Sequence, residues 1–149
     1  MRSALIASLL AVGACGSGPP PPATIDARGD ACAYCRMAMS ASGAVAQLVV
    51  PGDDPRFFDD IGCLASFLTE HGNQPAGAIA YVVDHQTHSW VPAGAAVYAR
   101  VPDLDTPMGS HLVAHADERQ RRDDSATARG SIVSIADVFG ARMPPGGRP

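Results

Sequence analysis

Phe57-Phe58-Asp59-Asp60-Ile61-Gly62-Cys63-Leu64 changes periodicity partway along, and a strand gives way to a helix there. Upstream, Ala44-Val45-Ala46-Gln47-Leu48-Val49-Val50 is rich in β-branched residues, and Pro51-Gly52-Asp53-Asp54 supplies turn residues. With Arg56-Phe57-Phe58 as the returning strand, residues 44–58 read as a hairpin. Downstream, Asp59 or Asp60 can cap a helix, because a carboxylate accepts from its unpaired N–H groups. Ile61, Leu64, Ala65 and Leu68 recur at helical spacing, and Gly72 stands where a helix ends. The segment 61–71 therefore reads as a helix of about three turns.

Further along, Ile79 to Val83 and Ala95 to Val101 read as strands, with a short one from His88 to Val91. Leu112-Val113-Ala114 is short and apolar. Asp117 can cap a polar helix to about residue 128, with Gly130 after it and Ser131 to Ile135 as a final strand. Both halves thus run strand, Asp cap, helix, Gly, strand. Links between strands are short, so pairing is mostly antiparallel and the class is α+β, a single small domain.

The ends read differently. Met1-Arg2-Ser3 carries a positive charge, Ala4 to Val12 is apolar, and small residues Gly13-Ala14 precede Cys15. This is an export signal, too short to span a bilayer. Val12-Gly13-Ala14-Cys15 resembles a bacterial lipobox, which implies cleavage before Cys15 and acylation of its thiol, with palmitate as an expected chain. The four prolines from Pro19 to Pro22 favour extended polyproline II and suit a stiff tether. The expected organisation is a signal peptide at 1–14, lipidated Cys15 and linker at 15–30, a metal-binding domain at 31–141 and a disordered tail at 142–149. Gly16 replaces the Asp that marks inner-membrane retention in such lipoproteins, so the expected location is the outer membrane, facing the periplasm.

A chain that is 46% hydrophobic and 17% charged can form a packed core. Net charge is -4 and all eleven basic residues are arginines, scattered or offset by acids, so there is no basic stripe for nucleic acid. No GxSxG, HExxH, P-loop or GxGxxG pattern occurs, and no catalysis is expected.

Chemistry concentrates in Cys32-Ala33-Tyr34-Cys35-Arg36-Met37-Ala38-Met39. If 35–39 is extended, Cys35, Met37 and Met39 share one face. Thiolate with thioether suits Cu(I), a soft ion. Apart from Cys15, three cysteines remain, and an odd thiol outside the cytoplasm needs a partner or a metal. Cys63 falls in the first turn of the helix, where the partial positive charge favours thiolate; the alternative is a small buried apolar residue. Met108, between Pro107 and Gly109, sits in a turn rather than a packing stripe. Of the histidines, His111 is the best nitrogen candidate and His115 shares its neighbourhood. His71 reads as structural at a helix C-terminus, and His85 and His88 as solvated in a turn.

The order CxxCxMxM, FDDIGC opening a helix, a strand with Asp84-His85 and Trp90-Val91, then TPMGS resembles the NosL family over roughly residues 31–140. Those lipoproteins bind Cu(I) and assist copper-centre assembly in nitrous oxide reductase. The resemblance implies two small ββα-type halves, with Cys35 and Met37 as the cysteine–methionine element and Met108 as the methionine of the second motif. Cys32, Met39, Cys63 and His111 are second choices as ligands. Asp59 and Asp60 fall on the FDD element and read as capping. Arg36 departs from the Gly that many relatives carry. Two other functions stay open: a thiol-disulfide oxidoreductase using Cys32 and Cys35, and a structural zinc domain using Cys32, Cys35, Cys63 and a histidine. Against the first, no helix start follows the motif; against the second, zinc leaves the methionines unexplained.

Overall fold

The computed structural model describes residues 18–40 and 42–144. The signal peptide, Cys15 and the last five residues of the tail lie outside that range. The first sheet has four antiparallel strands: β1 (Ala46–Val49), β2 (Arg56–Phe58), β3 (Ile79–Val83) and β4 (Trp90–Pro92), in the order β2-β1-β3-β4. The second has three: β5 (Val97–Arg100), β6 (Leu112–His115) and β7 (Ser131–Val133), in the order β6-β5-β7, also antiparallel. Helix α1 (Ile61–His71) follows β2, α2 (Glu118–Asp123) follows β6, and α3 (Ile135–Phe139) follows β7. In each half the first strand lies between its hairpin partner and the strand after the helix. The echo read in the sequence is therefore a repeated topology.

Alternation sorts the first sheet. Ala46, Leu48, Ala80 and Val82 belong to the main core with Ile61, Leu64, Phe67 and Leu68 of α1. Each such fully buried large side chain contributes roughly 1.5–3 kcal/mol. Val49, Ile79 and Tyr81 form a separate cluster with Trp90. The N-terminal segment also lies against this domain: the Gln47 amide bonds Ala23 both ways, at 2.8 and 3.2 Å, and the Tyr81 hydroxyl donates to the Pro20 carbonyl at 2.7 Å. Ala23 and Ile25 pack on the core, so residues 20–25, read as part of the tether, are docked on the domain.

The two halves share one hydrophobic core, and a parallel bridge, Asp84 to Ala114, links their sheets. The His85 N–H donates to the Ala114 carbonyl at 2.8 Å, and the Asp84 carboxylate accepts from the Ala116 N–H at 2.7 Å. Among the described residues no helix is long and apolar enough to cross a membrane.

The second half differs from the sequence reading at two boundaries and adds a short helix, α3, that the sequence reading did not contain. The polar helix stops at Asp123, not 128, because the Asp124 side chain accepts from the Ala126 N–H and its carbonyl from the Thr127 N–H, which closes a turn. The last strand ends at Val133. Ser134 then caps α3, accepting from the Asp137 N–H, and the chain leaves α3 at Gly140 with φ 60°. Ser134-Ile135-Ala136-Asp137 is close to the capping-box pattern, a signal that was available in the sequence.

Candidate metal centre

Residues 31–38 form a tight loop, not an extended strand. The Arg36 N–H donates to the Cys32 carbonyl (3.0 Å), and the Cys32 N–H donates to the Met37 carbonyl (2.8 Å). Arg36 takes φ 67°, the left-handed region that favours glycine. The expectation that Cys35, Met37 and Met39 share a face is therefore corrected. Arg36 breaks the extended run, Met37 is 44% exposed, and Met39 is buried in the core. The loop is fixed to β2 by the Ala33 N–H, which donates to the Phe57 carbonyl at 2.7 Å.

That attachment brings the loop beside the start of α1. Donor atoms of Cys32, Cys35, Cys63 and Asp59 all lie within 4.8 Å of one another. Cys32, Cys63 and Asp59 are buried and Cys35 is half-buried. All three cysteines are free. The Cys35 thiol lies 3.5 and 3.6 Å from the two Asp59 oxygens, and the Met37 N–H also donates to its sulfur.

Burial pushes the Cys35 thiol up, with Cys32 and Asp59 adding and the Met37 N–H opposing. Cys63 is pushed up much further, again by burial first and then by Cys32 and Asp59. The expectation that the helix start favours a Cys63 thiolate is thus overturned for the metal-free protein. Desolvation and two neighbouring acidic groups outweigh the helix dipole. A bound cation reverses this, because it stabilises the thiolates it coordinates.

Asp60, not Asp59, caps α1, so the capping role expected of the pair is divided. Its Oδ1 accepts from the Gly62 N–H at 2.7 Å. Its Oδ2 accepts from the Thr106 hydroxyl at 2.7 Å and from the Met108 N–H at 3.0 Å. Burial opposes ionisation of Asp60, but donors from Ser110, Thr106, Met108 and Gly62 outweigh it and hold the carboxyl below the usual range. Asp60 therefore pins the Thr106-Pro107-Met108-Gly109-Ser110 loop over the first turn of α1. Met108, 48% exposed, lines a hollow of about 230 Å³ with Tyr34, Cys63, Ser66 and Ser110.

The remaining candidates lie elsewhere. His111 is not among the gathered donors; its Nδ1–H donates to the Leu104 carbonyl at 2.8 Å. His71 stacks on Phe67 (3.9 Å between ring centroids) and bonds its carbonyl, as a structural residue does. Asp59 is the residue the sequence reading missed as a donor. Its adjacency to a capping Asp hid it, since either could have been the cap.

Three thiols and a carboxylate converging in an α+β domain form a set that can hold a metal ion. The family model NosL matches residues 22–142, and the chain belongs to the NosL family. A search of the curated proteins and of the solved structures finds no match to this chain. Family and thiol cluster together support a copper-binding accessory role.

Proposed function

We propose that this protein is a Cu(I) carrier, lipid-anchored through Cys15 and facing the periplasm from the outer membrane. It passes copper to an enzyme of the nitrous oxide reductase type and performs no catalysis itself. The observation that carries the reading is the convergence of three sulfurs under a loop that presents an exposed methionine. Thiolates supply charge and softness, and thioethers add softness without charge, which favours Cu(I) over harder ions. Exposed Met37 and Met108 are accessible to an acceptor, and a neutral thioether is released more easily than a thiolate.

The test is competition of the reduced full chain against a Cu(I)-specific chelator. The wild type is expected to retain one copper, Cys35→Ser to lose nearly all affinity, and Met108→Leu to weaken binding without loss of fold, because that exchange roughly conserves volume. Wild-type affinity in Cys35→Ser, with loss in Cys32→Ser or Cys63→Ser, overturns the assignment of the central thiolate. Labelled fatty acid is expected on the wild type and not on Cys15→Ser; equal labelling overturns the anchor.

A second reading rests on Asp59. With Cys32, Cys35 and Cys63 it makes a four-donor set in which a carboxylate stands where the zinc reading expected a histidine, and carboxylates also ligate zinc. Metal content after reducing purification separates the two: copper favours the carrier, zinc the structural site. A metal-free protein with a reversible 32–35 disulfide favours an oxidoreductase.

A further inference from the structure

Away from the thiols, the seam between the halves holds a second set of donors. His85 follows β3, His115 ends β6, and Asp124 caps the C-terminus of α2. Their donor atoms lie within 4.8 Å of one another. The His85 Nδ1 stands 2.7 Å from Asp124 Oδ2, and the His115 Nε2 stands 3.2 Å from the same oxygen. The Thr127 hydroxyl is 3.3 Å from His115 Nε2. His115 and Asp124 are buried, while the His85 side chain is 18% exposed. The sequence reading placed His85 in solvent. The early end of α2 changes this by turning Asp124 towards the seam.

We propose that His85, His115 and Asp124 form a second metal site, for a borderline divalent cation such as Zn(II), separate from the thiol cluster. Two imidazoles and a carboxylate are nitrogen and oxygen donors, which suit Zn(II) better than Cu(I). A four-coordinate Zn(II) holds such donors about 2.0–2.1 Å away, so neighbouring donors stand about 3.3 Å apart. The His115–Asp124 contact already has that spacing, the His85–Asp124 pair must open by a few tenths of an ångström, and the two imidazole nitrogens stand within 4.8 Å of one another. The Thr127 hydroxyl, or water entering past the half-open His85, can complete the shell.

The His115 Nδ1 is buried with no hydrogen-bond partner, so ligation through Nε2 also requires an acceptor, such as an entering water, for the proton then carried on Nδ1. One further feature fits a site more closely than a simple hydrogen-bonded staple. Gly43 lies directly against the His85 ring. A Cβ there would come within 2.6 Å of the ring Cδ2, and the glycine has no positive φ to account for it. The chain thus leaves space for this imidazole at a position whose backbone any residue could adopt.

Co(II) titration of the reduced full chain tests the proposal, because cobalt reports its donors directly. A thiolate-bound ion gives an intense near-ultraviolet charge-transfer band, whereas a nitrogen- and oxygen-bound ion gives only weak visible bands. The expected result is a class of Co(II) with the weak bands alone, displaced by Zn(II). It should be weakened at least tenfold in both His85→Gln and Asp124→Asn, with the thiolate band unchanged in each. Zn(II) should also raise the unfolding temperature of the wild type more than that of His85→Gln. If Asp124→Asn does not fold, His85→Gln decides alone, since its side chain reaches solvent. Absence of a nitrogen- and oxygen-bound class overturns the site, as does one that persists unchanged in His85→Gln. These outcomes do not depend on whether the thiol cluster carries copper.

Discussion

Substituting Asp60 by Asn isolates the contact that joins the methionine loop to helix α1. An amide matches the shape of the carboxylate but reverses one edge. With its oxygen towards Gly62 it still caps the helix, and Asn is as good a cap as Asp. Its NH2 then faces Thr106, whose hydroxyl can accept, and the Met108 N–H, which cannot. One bond to a charged acceptor is lost and a donor is left opposed. Bonds to charged groups contribute about 1.5–3 kcal/mol, so the expected loss is about 2–3 kcal/mol. With a urea dependence of about 2 kcal/mol/M, the unfolding midpoint falls by about 1–1.5 M. Asp60→Ala loses the cap as well, about 1 kcal/mol more. The sign with pH follows from the lowered carboxyl. Its stabilisation is complete above the unfolded-state value of about 3.9 and is lost as pH falls through the lower folded value, so Asp60→Asn removes that part of the acid sensitivity. The assays are urea unfolding from about pH 2.5 to 7 and amide hydrogen exchange at Met108 and Gly109. An unchanged midpoint with unchanged exchange at Met108 refutes the reasoning.

Cu(I) affinity is expected to rise with pH across about pH 6–8.5. Burial keeps the Cys35 and Cys63 protons in place in the metal-free protein, and binding must expel them, at about one log unit per pH unit for each thiol that ionises. Chelator competition at several pH values measures this, and a flat profile contradicts it. Arg36→Gly is expected to stabilise the protein by about 0.5–1 kcal/mol, the relief of left-handed strain less the added freedom of the unfolded chain; denaturant unfolding reads it. Ser134→Ala is expected to cost about 1 kcal/mol through the lost cap of α3, with protection from exchange falling first in residues 135–139.

Much of this molecule is legible before folding because local signals agree. The Phe57–Leu64 junction carries aromatic strand residues, a capping acid and helical spacing in sequence, and the structure puts a strand, a cap and a helix there. The thiols were legible as residues but not as an arrangement. Alternation along 35–39 assumed an extended chain, and nothing in the residue types marks the left-handed turn at Arg36. Asp59 and Asp60 were indistinguishable for a related reason. Which one caps and which one faces the sulfurs depends on where β2 releases the chain, a matter of one residue. The His85–His115–Asp124 grouping was illegible because its members come from three elements, brought together only when the two sheets meet.

The division of labour at the thiol cluster has a consequence for timing. Every gathered donor belongs to the first half of the chain, whereas Met108 reaches the rim from the second, held by one carboxylate. Swinging out residues 106–110 breaks the bonds to the Asp60 carboxylate, the Arg100 bond to the Ser110 carbonyl and the His111 and Leu112 N–H bonds to the Thr106 and Ser110 hydroxyls, while every gathered donor stays in the first half. If the protein carries copper as proposed, the residence time of a cargo capped by this loop is set by opening of residues 106–110 rather than by unfolding of the domain. Dwell and durability become separate quantities, and either can be retuned without touching the other.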